Sequence, residues 1–148
     1  MAIIWKIENV FGRSQQEVQI MGATAHSLFG NIAAEDRMHL FLNGEPDGKK
    51  IVNILDYRKE DVSVAANIPM QSVRYDQKMP TELRDRIIEW AVAINLVSGY
   101  FKDDHKTMLW FKMVNPLLGD ISPRDMIRVG RFKKLYKFIQ TALGENTR

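Results

Sequence analysis

Leu83, Ile87, Trp90, Ile94, Val97 and Phe101 follow one another at steps of four and three residues, which places them on one face of an α-helix. A helix of about five turns over residues 81–101 is therefore the element around which the chain has to be arranged. Its apolar stripe must be covered. Other segments of the chain can do this, and so can a second copy, because the same heptad spacing suits a helix-to-helix dimer seam.

The segments that follow read as helices too. A second helix is expected over His105 to Met113, ending before Asn115-Pro116 because the residue ahead of proline resists the α conformation. Ser122-Pro123-Arg124-Asp125 supplies an N-cap, a proline at the first helical position and an acid at the third, and Gly130 can close that short helix. The last helix carries Phe132, Leu135, Tyr136, Ile139 and Leu143 on one face, with Gly144 just beyond.

Upstream the patterning is weaker. Met1 to Val10 mixes β-branched and aromatic residues and reads as an extended arm or short strand. Ser14 and Glu17 have the form of a capping box opening a short helix that Gly22 can close; Thr24 starts another turn, and Glu35 to Leu42 a third short helix. Asn43-Gly44-Glu45-Pro46-Asp47-Gly48 concentrates turn formers and marks the expected subdomain boundary. The expected fold is all-α, with room for a short N-terminal strand. It divides into an extension over 1–48, a region over 49–101 ending in the long helix, and a C-terminal helical unit over 102–148.

Composition narrows the functional classes. A chain of 148 residues with 45% hydrophobic and 26% charged side chains has the make-up of about one ordinary domain. No unbroken apolar run exceeds the five residues Trp90 to Ile94, and Met1 opens without a basic region and long apolar stretch, so no membrane span or export signal is expected. The absence of cysteine excludes disulfides, thiolate nucleophiles and cysteine-ligated zinc, and favours a cytoplasmic setting. The net charge of +3 is unevenly placed: residues 121–148 hold seven Lys/Arg against two Asp/Glu, while residues 51–120 hold nine against ten. Phosphates, an acidic surface on a partner, or water would each suit that basic end.

Residues 59–78 have the arrangement of a DNA-binding helix-turn-helix. Val62, Ala66, Ile68 and Val73 fall at the internal apolar positions, Ser63 is the small residue, Asn67 occupies the turn and Pro69 starts the second helix. Met70, Gln71, Ser72, Arg74 and Lys78 then face outward as candidate DNA-binding residues, with glutamine suited to adenine and arginine to guanine. A short recognition helix reads few base pairs, so DNA binding would be expected of a homodimer.

Enzyme chemistry finds little support. His26, His39 and His105 are far apart in sequence, no metal-ligand spacing occurs, and Asp103-Asp104-His105 is explained by helix capping and the helix dipole. The phosphate-binding loops and the serine nucleophile elbow have no counterpart. The expectation is a protein without catalysis, cofactor or metal.

Leu109-Trp110-Phe111, Asn115-Pro116-Leu117-Leu118-Gly119, Ser122-Pro123-Arg124-Asp125-Met126-Ile127 and the Gly130-Arg131 step occur in an order that resembles the toxin-binding domain of the MbcA/ParS/Xre antitoxin family. With the 59–78 segment and the long helix, the resemblance extends over about two thirds of the chain and leaves residues 1–48 outside it. It departs at Asp120, where a second glycine is frequent in the family; aspartate can visit the left-handed region. The resemblance implies a type II antitoxin that binds a RES-type, NAD-consuming or ADP-ribosylating toxin and represses its own promoter. It also implies that 102–148 is the toxin-binding domain, with Asn115, Gly119, Arg124, Arg128, Arg131, Lys134 and Lys137 as candidate toxin-binding residues. Two other readings compete with it. One is a transcriptional regulator without a toxin, and the other an interaction protein that has the helix-turn-helix shape without DNA affinity.

Overall fold

A computed structural model describes residues 36–145, and the expectations for Met1 to Val10, Ser14 to Gly22 and Thr24 lie outside them. The described chain is all-α apart from one small hairpin. Strands β1 (Phe41–Leu42) and β2 (Glu45–Pro46) are followed by six α-helices: α1 (Gly48–Ile54), α2 (Lys59–Ala66), α3 (Thr81–Phe101), α4 (Asp104–Lys112), α5 (Pro123–Arg128) and α6 (Phe132–Glu145).

Helix α3 begins and ends where its periodicity predicts, and Leu83, Ile87, Trp90, Ile94 and Val97 are all no more than 3% exposed. Burial goes well beyond the stripe. Ile88, Ala91, Val92, Ala93, Leu96, Ser98 and Tyr100 are enclosed as well, because α1, α2, α4, α6 and the hairpin pack around the helix. The stripe is covered inside the chain, so a dimer seam would have to use another surface.

The hairpin replaces the short helix expected over Glu35 to Leu42. The Asp36 carboxylate accepts hydrogen bonds from the backbone N–H of Leu40 at 2.7 Å and Phe41 at 2.8 Å, which takes those amides out of any helical ladder. His39 is left-handed at φ 55, a further break in helical geometry. Asn43 at φ 54 and Gly44 at φ 81 then form a two-residue turn with both φ positive, the geometry that matches the twist of a tight hairpin. The residues expected as a subdomain boundary are thus a hairpin turn, and Leu40 before it and Ile51 after it belong to the same hydrophobic core as α3. Asp36 also accepts from the Asn95 amide at 2.9 Å, and Glu45 accepts two hydrogen bonds from Arg84, so both ends of the hairpin are tied to α3.

Only the first half of the expected helix-turn-helix forms. Helix α2 ends at Asn67, left-handed at φ 56 and ψ 50 as the turn requires, and Ser63 donates its hydroxyl proton to the Ile68 carbonyl at 2.6 Å. Beyond Pro69 the chain makes a single 3₁₀ turn over Met70–Ser72 and becomes extended at Val73 with φ −78 and ψ 106. The expected recognition helix over residues 69–78 is therefore absent. Val73 turns into the core, the Asp76 carboxylate accepts from both the Arg74 guanidinium and the Lys78 backbone N–H, and these contacts hold a non-helical loop instead.

Candidate protein-interaction surface

Helix α4 has two faces with different tasks. Asp103 caps it by accepting from the Lys106 N–H at 2.9 Å, and that hydrogen bond is the main reason its carboxyl is held below the usual value. Thr107, Trp110 and Phe111 point inward, and the rings of Trp110 and Phe111 meet edge to face with centroids 5.0 Å apart. Leu109 and Met113, four residues apart on the other side, are left in solvent at 43% and 41% exposure.

The loop that follows continues this apolar surface. Asn115 is buried and organises it: its side chain accepts from the Leu117 N–H, its carbonyl accepts from Leu118 and Asp120, and its own N–H donates to the Ile121 carbonyl. Gly119 at φ 90 and Asp120 at φ 60 make consecutive left-handed steps that close the loop, so aspartate does adopt the conformation for which the family often supplies glycine. With the loop closed around Asn115, Val114 and Leu117 remain outside at 60% and 56% exposure. Leu109, Met113, Val114 and Leu117 thus form an apolar run that includes the exposed Lys112. Sequence reasoning did not single out these four. The available signal was that Leu109 and Met113 share a helix face opposite the one Trp110 must bury.

The seven candidate toxin-binding residues fall into two groups. Asn115, Arg124 and Arg128 already have partners inside the chain. The Arg124 guanidinium stands 5.7 Å from the centre of the Tyr57 ring and pairs with Asp56 at 3.7 Å, while Arg128 reaches Asp61 at 3.4 Å and Asp125 at 3.1 Å. The Tyr57 hydroxyl donates to the Arg124 carbonyl, and burial holds that phenol well above its ordinary titration range. These contacts join α2 to α5. Gly119, Arg131, Lys134 and Lys137 are exposed, and the three cations have no carboxylate partner among the described residues.

Of the candidate DNA-binding residues, Met70, Gln71 and Lys78 are exposed and Ser72 is half-buried. Arg74 is held by Asp76 through two hydrogen bonds, which occupies the fork that would meet a guanine. Among the described residues no cluster of His, Asp and Glu could hold a metal, and no helix is long and apolar enough to cross a membrane. Asp104, paired at 2.7 Å with Arg37, and Asp103, engaged in capping, have structural partners beside His105.

The fold and this surface define an all-α chain whose most concentrated exposed apolar run lies at one end of its C-terminal helical unit. Comparison with family models, curated proteins and solved structures found no match for the chain.

Proposed function

We propose that this chain is the antitoxin of a type II pair, acting in the cytoplasm by stoichiometric binding to a toxin rather than by catalysis. The observation that carries the reading is the exposed run Leu109, Met113, Val114 and Leu117, displayed on the same helix-loop unit whose motifs resemble a toxin-binding domain. Contiguous exposed apolar side chains on an otherwise well-buried small protein favour a partner surface. The unpaired Arg131, Lys134 and Lys137 favour a partner whose contact face is apolar and edged with carboxylates. A RES-type, NAD-consuming toxin is the partner class that the resemblance suggests.

The loop over residues 73–80 favours an interaction protein over a transcriptional regulator, since the helix that would enter the major groove does not form. Autorepression by residues 69–78 is therefore left out of the reading.

The test is co-expression with the product of the adjacent gene. A Val114→Glu, Leu117→Glu variant alters only exposed side chains, so it should fold and melt as the parent does yet fail to protect cells or co-purify with the toxin. Charge reversal at Arg131, Lys134 and Lys137 together should weaken protection while leaving Phe132, Leu135 and Ile139 packed. Full protection by both folded variants would overturn the assignment.

A further inference from the structure

The segment that fails to become a recognition helix builds something else. Lys49 on α1, Lys59 at the start of α2, Asn53, the ring of Tyr57 and the extended Val73 and Tyr75 line an open cavity of about 380 Å³. That is within the range of small-ligand pockets, about 300 to 1,000 Å³. We propose that this cavity binds a phosphomonoester carrying a planar ring, of about the size of a nucleoside monophosphate.

Charge selects the anion. The lining contains two lysines and no carboxylate, although the surrounding stretch 51–120 has nine cations against ten anions. Neither Lys49 nor Lys59 has an ion-pair partner among the described residues, so both ammonium groups are free to meet a phosphate. Lys59 also opens an eight-residue helix, whose N-terminal dipole adds to the same positive field. Asn53, exposed at the same cavity, adds a neutral donor and acceptor.

The opposite wall selects the ring. Tyr57 is buried with its hydroxyl already donated to the Arg124 carbonyl, so it offers the cavity an aromatic surface rather than a polar group. Val73 supplies apolar surface, and Tyr75 a second ring seated against the backbone of Gly48. Inorganic phosphate would satisfy the lysines and leave this wall bare; an uncharged nucleoside would cover the wall and leave two ammonium groups unmatched. A nucleic-acid strand needs a longer basic track, and Arg74, the nearest cation to extend one, is paired with Asp76.

Calorimetric titration of the full chain with adenosine 5′-monophosphate, adenosine and inorganic phosphate tests the proposal. The monophosphate should bind, and phosphate and adenosine should each bind at least about tenfold more weakly. Lys49→Gln, Lys59→Gln together should cost the monophosphate at least about tenfold without moving the melting temperature, because both side chains are exposed. Amide chemical-shift changes should centre on residues 49–59 and 73–75. Absence of binding, equal affinity for monophosphate and adenosine, or undiminished affinity in the lysine variant would overturn the site. So would tighter binding of a short single-stranded oligonucleotide with a salt dependence of several phosphates, which would point to nucleic acid instead.

Discussion

Gly48 and Tyr75 pack so closely that a β-carbon on Gly48 would come within 2.6 Å of Cδ1 of the tyrosine ring. The same β-carbon would be 3.3 Å from Cδ1 of Ile87 on α3, so it has no relaxed position between loop and helix. Gly48→Ala should therefore destabilise the protein by about 1 to 3 kcal/mol through overpacking, more than the small helix-propensity gain at a first-turn position returns. A thermal melt reads the effect, and an unchanged or raised midpoint would show that the ring can move aside freely.

Trp90 is 1% exposed and meets the Tyr57 ring edge to face with centroids 5.8 Å apart. Trp90→Ala should cost about 3 to 5 kcal/mol, combining lost transfer energy with a cavity at the centre of the fold. Denaturant unfolding measures it; a loss below about 1 kcal/mol would mean that the site collapses to fill the space.

The loop after α4 predicts a stabilising substitution. Asp120 holds φ 60 with its side chain in solvent, and glycine accepts that conformation without the β-carbon penalty. Asp120→Gly should raise stability by up to about 1 kcal/mol, whereas Gly119→Ala at φ 90 should lower it by about 1 to 2 kcal/mol. Opposite shifts in melting temperature from adjacent positions are the expected signature, and shifts of the same sign would contradict the loop geometry.

Acid should weaken the start of α4. The Lys106 N–H holds the Asp103 carboxyl below its ordinary value of 3.8, so the unfolded chain takes up the proton more readily than the folded one. The stabilisation is fully present above that ordinary value and is lost as pH falls through the lower folded-state value. Asp103→Ala should thus melt below the parent at about pH 6, and the gap should close towards about pH 2. A gap independent of pH would show that the carboxylate charge contributes nothing to the cap.

The sequence was most legible where a signal is local and its physical cause lies within a few residues. The stripe from Leu83 to Phe101, the Asn67 turn and the Ser122-Pro123 helix start all appear in the fold as their spacing and chemistry require. The interaction surface was half legible. Trp110 and Asn115 mark the unit that carries it, but which side chains stay in solvent depends on how the loop closes around the buried Asn115.

Local signals determined the helices by themselves, because caps, prolines and apolar periodicity act over one or two turns. Tertiary structure alone decided the fate of residues 36–42 and 69–78. In the first, the Asp36 carboxylate draws the Leu40 and Phe41 amides into a hairpin that Asn95 anchors from α3, a partner nearly sixty residues away. In the second, Pro69 and the residues after it favour a helix start, but burying Val73 and seating Tyr75 against Gly48 require an extended backbone. A single 3₁₀ turn has little helical stability to set against that packing, and so the loop prevails.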